Sequence, residues 1–214
     1  QASFNLDAPM YAQYILDMPI KFPGTDVRVP GELKSVAPVI QSIIDAEAQI
    51  NRSYGEYYAY LSYHQGYVEP GRRQREMPAH VDGFQGTRWK RKHPANHSYL
   101  VSNRLPSVFY PQAFPLDHID PSLDDVYVEF ARQIESNPDG RIWVPDENEL
   151  ILMDAYCVHR GAEATKRVFR TWLQVSWETR TYDRIGNTHN CHFKYAWPMV
   201  ARGPWFIITT RSLQ

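Results

Sequence analysis

The feature that most constrains this chain is a His-x-Asp motif in the run Met77-Pro78-Ala79-His80-Val81-Asp82-Gly83. Side chains two positions apart on an extended backbone project to the same side, so His80 and Asp82 can reach one metal ion while Val81 points away. Two ligands hold a metal poorly, and a third is therefore expected from elsewhere in the chain. His159 is the candidate, because two histidines and one carboxylate on one face of an octahedron suit non-haem iron(II).

Arg170 stands eleven positions after His159. The order His-x-Asp, a long gap, His, and then Arg resembles the pattern of the iron(II)/2-oxoglutarate-dependent dioxygenases. The resemblance covers about 100 residues, from His80 to Trp177, and depends on four of them. One departure concerns Thr171-Trp172, because many members of the family have a small hydroxyl residue two positions after the Arg.

The resemblance implies a function for each of these residues. His80, Asp82 and His159 would be the catalytic metal ligands, and Arg170 would hold the far carboxylate of 2-oxoglutarate. Dioxygen would be the second cosubstrate, succinate and carbon dioxide the coproducts, and ascorbate the reductant in assays. The substrate would be hydroxylated, desaturated, cyclised or dealkylated. The carboxylate at position 82 favours these outcomes over halogenation, because halogenating relatives lack it.

Strand phase distinguishes Arg170 from the nearby Arg167. In the run 168–177, one face carries Arg170, Trp172, Gln174 and Ser176, and the other carries Phe169, Thr171, Leu173, Val175 and Trp177. The second set is the better partner for a covering layer. We therefore expect Arg170 to face the interior between the sheets and Arg167 to face outward.

The pattern of the remaining segments predicts a mainly β fold, a double-stranded β-helix (jelly roll) with flanking α-helices, in one domain spanning 1–214. Apolar residues at helical intervals predict a helix over 32–51, and a capping pattern predicts a second helix beginning at Asp120. Residues 12–16 fit a helical turn or a short strand. The predicted strands are 57–64, 98–103, 107–110, 141–144, 149–153 and 167–179.

Composition limits the class of protein. The chain has 214 residues, of which 43% are hydrophobic and 22% are charged, with a net charge of -1. That balance argues against bulk coating of nucleic acid. No apolar run reaches the roughly 18 residues that span a bilayer, and two cysteines cannot form a disulfide framework, so we expect a cytoplasmic protein without membrane association. The oligomeric state is left open.

Three polar residues on predicted strands are candidates for the pocket. Tyr99 and Asn103 share one face of the 98–103 strand and could donate hydrogen bonds to the cosubstrate, as residues of this region do in related enzymes. His64, on the aromatic strand 57–64, would line the substrate side. Each of these residues also fits an ordinary hydrogen-bonded position in a sheet.

Two basic runs flank the His-x-Asp motif: one includes Arg72 and Arg73, and the other begins with Arg88 and Trp89. A charge run usually marks a solvated loop. Arginine beside tryptophan also suits an acidic substrate, because it combines a forked donor with a stacking surface.

The leading hypothesis is therefore an oxygenase that acts on a small, acidic metabolite. One alternative is the same chemistry on a nucleobase or a protein side chain. Another is a cupin-like isomerase or hydrolase that uses zinc or manganese.

Two further histidine motifs are weaker metal candidates. His118 and Asp120 form a second His-x-Asp, but Asp120 is better explained as a helix cap. His189, Cys191 and His192 lie within four residues, which is not the spacing of a structural zinc site. Cys157, two positions before His159, is expected to be a small buried residue rather than a ligand.

Overall fold

The computed structural model describes residue 6 and residues 12–83, 97–120, 124–137 and 139–201. Within them the chain is mainly β, with antiparallel sheets and two α-helices. The strands are β1 (Gln13–Lys21), β2 (Tyr58–Val68), β3 (His97–Ser102), β4 (Val108–Phe109), β5 (Ile151–Asp154), β6 (His159–Arg160) and β7 (Val168–Glu178). The helices are α1 (Ala37–Ile50) and α2 (Val126–Glu135), and the 3-10 helices are Gly31–Leu33 and Tyr54–Glu56.

The larger sheet has the strand order β1-β2-β7-β3-β5, and every neighbouring pair is antiparallel. Strand β7 lies at its centre and is buried on both faces from Arg170 onward. It pairs with β2 over its whole length, from Tyr58 opposite Glu178 to Val68 opposite Val168. This long pairing fixes which side chain of β2 lies beside each side chain of β7.

Helix α1 covers one face of this sheet. Its buried residues Val39, Ile40 and Ile43 pack against Leu173 and Val175 of β7. This contact confirms that the odd-numbered residues of β7 face a covering layer. The helix begins at Ala37, later than the predicted start at position 32, because a 3-10 turn precedes it and Pro38 occupies its first turn, where no amide hydrogen is needed.

A smaller sheet pairs β4 with β6 and is extended by two isolated bridges, His80 with His159 and Phe109 with Trp143. The predicted strand 141–144 is reduced to the second of these bridges. Helix α2 packs on the outer side of this sheet, in a cluster that includes Val81, Val126 and Val158. A third cluster, formed by Leu100, Phe109, Ile151 and Met153, joins the smaller sheet to the larger one. The described residues therefore form two sheets in contact, with a helix on the outer face of each.

The beginning of α2 differs from the prediction. Its N-cap is Asp125, whose Oδ1 accepts hydrogen bonds from the backbone N–H groups of Tyr127 and Val128 at 2.9 and 3.4 Å. Asp120 instead lies in the preceding turn, where its backbone N–H donates to Asp124 Oδ2 at 2.6 Å. Several acids in this stretch satisfy the sequence pattern of a cap, and only the geometry identifies the one that is used.

Across the described part of the chain, every helix is too short or too polar to cross a bilayer.

A buried carboxylate ties α1 to the larger sheet and leads to a stability prediction. Glu47 is fully buried, and its two oxygens meet His97 Nε2 and Asn51 Nδ2, each at 2.7 Å. Burial alone would raise the pKa of Glu47, but His97 and Asn51 outweigh that effect and hold the pKa below its usual value. We expect His97→Ala to lower the free energy of unfolding by about 2–4 kcal/mol, because it leaves Glu47 without its main partner.

The matched control is His118→Ala. His118 meets Glu129 at 2.9 Å, but its side chain is 52% exposed, so we expect a loss of less than about 1 kcal/mol. Urea unfolding of the two variants at pH 7 tests the difference. Because the folded-state pKa of Glu47 is lowered, the wild-type protein should lose this contribution as the pH falls below about 4.5, where the unfolded chain takes up protons. Equal losses in the two variants would contradict this role of Glu47.

Candidate metal centre

His80 and His159 are brought together by their backbones. The N–H of each donates to the carbonyl of the other at 2.9 Å, which makes the residues a directly opposed antiparallel pair. Opposed residues of such a pair project to the same side of the sheet. The two imidazole rings accordingly lie with their centroids 4.5 Å apart.

Asp82 completes the group. Val81 is buried in the cluster beneath α2. Because side chains alternate along an extended backbone, Asp82 lies on the same side as His80. Asp82 Oδ1 lies 3.9 Å from Nε2 of both His80 and His159. Within the described residues, this is the one group of three or more His, Cys, Asp or Glu side chains whose ligand atoms all lie within 4.8 Å of one another.

The dimensions fit a metal after a small contraction. Ligand atoms about 2.1 Å from an ion and at right angles to one another are about 3 Å apart. An ion would therefore draw Asp82 Oδ1 and each imidazole nitrogen together by about 1 Å, which side-chain rotation can supply. Three protein ligands on one side leave the remainder of the coordination sphere open to small molecules.

The ring nitrogens are already arranged for metal binding. His80 Nδ1 lies 2.9 Å from the carbonyl oxygen of Pro78, and His159 Nδ1 lies 3.0 Å from that of Cys157. A neutral imidazole that donates from Nδ1 to a carbonyl keeps its lone pair on Nε2. In both rings Nε2 is the atom that faces Asp82.

Gln174 orients the carboxylate. Its Nε2 donates to Asp82 Oδ2 at 2.5 Å, which leaves Oδ1 directed at the two imidazoles. Gln174 comes from β7, on the face opposite α1, so the larger sheet supports a ligand that the smaller sheet carries. Such supporting hydrogen bonds typically change metal affinity by about 10–100-fold.

The protonation states also suit a divalent cation. Burial, together with the neighbouring His159, lowers the pKa of His80 to about 4. Burial opposes ionisation of Asp82, but His159, His80 and Gln174 outweigh it, so the pKa of Asp82 lies below its usual value. At neutral pH the group therefore presents a neutral His80 and a charged carboxylate, which are the forms that bind metal.

Gly83 allows the His-x-Asp segment to lie close to Ala155. Its N–H donates to the carbonyl oxygen of Ala155 at 2.7 Å, and a Cβ at this position would lie 2.8 Å from that oxygen. Any larger residue would push the segment that carries Asp82 away from the segment that leads to His159.

Arg170 lies on the same face of β7 as Gln174 and is only 5% exposed. Its Nε donates to the carbonyls of Arg104 and Leu105, both at 3.0 Å, and its Nη1 donates to Gln74 Oε1. All of these partners are neutral, and the described residues offer Arg170 no ion pair. Burial lowers the pKa of Arg170 to about 9, so the group still carries its charge at neutral pH.

His64 lies beside this arginine, on the same face of the sheet, opposite Trp172. Burial, Arg170 and Arg75 together lower the pKa of His64 to about 4, so its ring is neutral. Its Nδ1 is buried and has no hydrogen-bond partner within the described residues.

Tyr99 and Asn103 do not reach the metal group, which corrects the predicted orientation of this strand. Tyr99 belongs to the core beneath α1, on the opposite face of the larger sheet, where burial and the nearby Glu47 raise its pKa. Asn103 extends the pairing of β3 with β7: its N–H donates to the Thr171 carbonyl, and its Oδ1 accepts from the Thr171 N–H at 2.7 Å. The position of Asn103 is explained by these backbone contacts.

The basic residues selected from sequence that the structure describes lie beside acids of the chain. Arg72 pairs with Glu76 at 2.8 Å, and Arg73 lies 3.7 Å from Glu163, so an acid of the chain itself accompanies each charge. Arg88 and Trp89 lie outside the described residues.

Four site residues were not selected from sequence: Gln74, Gln174, Tyr127 and Arg75. Tyr127 comes from α2, with its ring 6.0 Å from that of His80, and burial together with Asp82 raises its pKa. Arg75 acts electrostatically on both His80 and Asp82. Strand phase could have indicated Gln174, which shares a face with Arg170, whereas no sequence signal distinguishes Arg75 from its neighbours.

The weaker metal candidates do not assemble a site in the described part of the chain. His118 pairs with Glu129 at 2.9 Å. His189, Cys191 and His192 are not part of the metal-binding group. Burial raises the pKa of Cys157 to about 11, consistent with a protonated, non-ligating thiol.

Comparison with known proteins adds little. No family model matches the chain, and no curated protein does. Among solved structures, the one titled "Crystal Structure of EvdMO1" aligns with a TM-score of 0.35 and 13% identity. The alignment covers 56% of this chain and 27% of that one. A TM-score this low does not establish a shared fold.

The close contact at Gly83 predicts that a single methyl group added at this position weakens metal binding. We expect Gly83→Ala to weaken binding of a divalent ion by at least about tenfold, because the backbone of Ala155 cannot yield as a flexible side chain would. Gly55→Ala is the control, since a Cβ at Gly55 meets nothing within 4 Å. Isothermal titration with Mn(II) measures both, and equal affinities in the two variants would contradict the account of Gly83.

Proposed function

We propose that this protein is a non-haem iron(II)/2-oxoglutarate-dependent oxygenase that oxidises a small molecule. The observation that carries the proposal is the combination of the His80, Asp82 and His159 group with a buried guanidinium on the same face of the sheet, which makes no ion pair in the described part of the chain. A metal triad alone would fit several classes of metalloprotein, and a buried arginine alone would fit many anion-binding sites. Together they match a metal and a diacid cosubstrate.

The environment of Arg170 argues for an anionic ligand. A buried charge surrounded only by neutral groups is costly unless another charge compensates it. Gln74 Oε1 occupies one acceptor position at this guanidinium, and a carboxylate would be a stronger partner in that position. The neutral ring of His64, with its unsatisfied Nδ1, adds a second polar atom that such a carboxylate could engage.

The spacing suits a five-carbon diacid. Arg170 and Gln174 are four residues apart on β7, which corresponds to about 13 Å along a strand. Because Gln174 contacts Asp82, the metal group lies beside Gln174 and is separated along the strand from the backbone of Arg170 by the same distance. A five-carbon diacid and an extended arginine side chain can bridge it together.

Strand order supports a double-stranded β-helix for this chain. From β2 to β7, the chain runs through β2, His80, β3, β4, Trp143, β5, β6 and β7. Members of the larger sheet alternate with members of the smaller one, except at the step from β4 to Trp143, where both belong to the smaller sheet. That alternation is what two sheets wound from one chain require, and it would put the metal group between them.

Iron(II) held here, with 2-oxoglutarate as the co-oxidised reductant, would supply activated dioxygen to a C–H bond of the substrate. The chain contributes the rest. His80, Asp82 and His159 hold the ion, and Gln174 keeps Asp82 Oδ1 turned toward it. Arg170 would fix the cosubstrate by its far carboxylate. The surrounding aromatic and aliphatic side chains limit access of bulk water, since the side chains of His80 and His159 are only 12% and 8% exposed.

Two features make the alternative functions weaker. A cupin-like isomerase or hydrolase would have no diacid cosubstrate for the buried charge of Arg170 to bind. The nucleobase alternative drew on the basic runs, but Arg72 and Arg73 are accompanied by Glu76 and Glu163.

Succinate formation is the direct test. Protein reconstituted without oxygen with iron(II) and ascorbate, and then exposed to air with 2-oxoglutarate, should form succinate slowly even without substrate. Asp82→Ala should lower that rate at least about 100-fold, because removing a metal ligand and its charge abolishes the site. Asp45→Ala, an exposed change on α1, should leave it unchanged. Fully iron-loaded wild-type protein that forms no succinate would contradict the proposal.

Arg170 and Arg167 form a matched pair for the cosubstrate site. We expect Arg170→Gln to raise the KM for 2-oxoglutarate at least about 30-fold, as loss of one partner of a buried charge pair does. Arg167 is exposed, pairs with Glu69 at 2.9 Å and stacks on Tyr67, so Arg167→Gln should change the KM less than about twofold. Steady-state assays measure both values, and the reverse order would show that the cosubstrate site is misassigned.

A further inference from the structure

An aromatic cavity of about 270 Å³ lies between β1 and the segment 182–199. Its wall includes the rings of Tyr182, His189, Tyr195 and Trp197, and Asp17 contributes a carboxylate. Among the described residues that line it, Asp17 is the one acid and there is no lysine or arginine. The volume suits a small ligand rather than a chain.

The rings of the wall pack in two groups. Tyr182 stacks on Tyr60 of β2 with centroids 4.0 Å apart and planes 9° apart. Tyr195 lies between His189 and Trp197, at 4.5 and 4.3 Å. Ring faces carry partial negative charge and attract cations, most strongly in tryptophan and tyrosine.

Asp17 is held in position by an uncommon backbone conformation. Its φ is 47°, in the left-handed region, at an irregularity in the pairing of β1 with β2. Its N–H donates to Ser62 Oγ at 3.0 Å, and that hydroxyl lies 3.2 Å from Asp17 Oδ1. Non-glycine residues adopt this conformation uncommonly, and aspartate is among those that do so most readily.

Two of the other polar side chains of the wall are engaged within the structure. Asn187 Nδ2 donates to the carbonyl of Tyr182 at 3.0 Å. Thr188 Oγ1 accepts the N–H of Leu16 at 3.0 Å. The wall thus combines aromatic rings and one carboxylate with the ring nitrogens of His189 and Trp197. With one carboxylate and no lysine or arginine among the described lining residues, the cavity favours a cation with apolar substituents, such as an alkylated ammonium, over an acid.

The cavity shares the inner face of the larger sheet with the metal group. Ser62, which contacts Asp17, is directly opposite Gln174, and Gln174 contacts Asp82. Along β7 the order is Arg170, then Gln174, then Ser176, which is opposite Tyr60. The metal group therefore lies between the site proposed for the cosubstrate carboxylate and the aromatic cavity.

We propose that this cavity binds the alkylated ammonium group of the substrate, an assignment that rests on the proposed oxygenase function. It differs from the sequence-based expectation of an acidic metabolite. The cation lies against Tyr182 and Trp197 and pairs with Asp17. The carbon to be oxidised extends from it toward Asp82.

Choline is the probe for the cation site, and 3,3-dimethylbutan-1-ol is its neutral counterpart of nearly the same shape. Titration of the metal-free protein, followed by tryptophan fluorescence, should give saturable choline binding at least about tenfold tighter than binding of the alcohol. Equal affinities, or no binding of choline, would overturn the cation site.

Asp17→Asn tests the carboxylate, because asparagine tolerates the left-handed conformation and still accepts the Ser62 hydroxyl. It should weaken choline binding at least about fivefold. The control Asp45→Asn removes a carboxylate of α1 outside the cavity and should have no effect. Unchanged binding in Asp17→Asn would overturn the role of Asp17, and the comparison of choline with the alcohol in wild-type protein remains decisive if that variant is unstable.

A separate experiment tests whether bound choline lies close to the metal group. With Mn(II) bound at His80, Asp82 and His159, the methyl proton resonance of choline should broaden strongly, and His159→Ala should remove the effect. Choline and Mn(II) both bound without broadening would overturn the substrate assignment alone. A triad that binds no divalent ion would overturn the oxygenase proposal and the substrate assignment with it, while the metal-free titration still decides the cation site.

Discussion

The site depends on one backbone pairing, the two reciprocal hydrogen bonds between His80 and His159. These residues are far apart in sequence, and each lies on a short extended segment that could not hold a ligand alone. Their pairing fixes the relative position of two imidazoles, and alternation then brings Asp82 to the same side. Val81, which lies between His80 and Asp82 in the sequence, belongs to the cluster that anchors the smaller sheet to α2. Ligand geometry is thus a consequence of sheet formation, and Gly83 is the position where that sheet tolerates no added atom.

A second constraint is the buried charge of Arg170. The fold surrounds this guanidinium with carbonyl and amide oxygens, which satisfy its hydrogens and leave its charge uncompensated within the described part of the chain. Charged groups rarely remain buried in this way without a partner. A diacid that reaches from the metal group to Arg170 would supply that partner, and the same sheet face would then organise cosubstrate, metal and substrate in that order along β7.

Strand periodicity predicted the parts of the site that follow from alternation: His80 with Asp82 on one side, and the inward face of Arg170 and Gln174. Strand periodicity gave wrong predictions for segments that carry polar and apolar residues on both faces. Tyr99 was expected to be a pocket donor because it is a polar residue on a strand, but it packs into the core beneath α1, near Glu47, a buried helical acid that sequence reasoning would leave in solvent. The cap of α2 was misplaced because several nearby acids fit the pattern. The aromatic cavity was missed altogether, since it depends on the left-handed turn at Asp17 and on contacts between residues more than 160 positions apart.

The central claim is that three ligands and one arginine serve a single metal and a single diacid. Anomalous diffraction at the iron absorption edge, from crystals grown without oxygen with iron(II) and 2-oxoglutarate, tests it most directly. The account predicts one strong peak within bonding distance of His80 Nε2, His159 Nε2 and an oxygen of Asp82, with the diacid extending from it to Arg170 and Gln74 displaced from the guanidinium. A peak elsewhere, or an iron site at which Arg170 still contacts Gln74 and no diacid is bound, would contradict it.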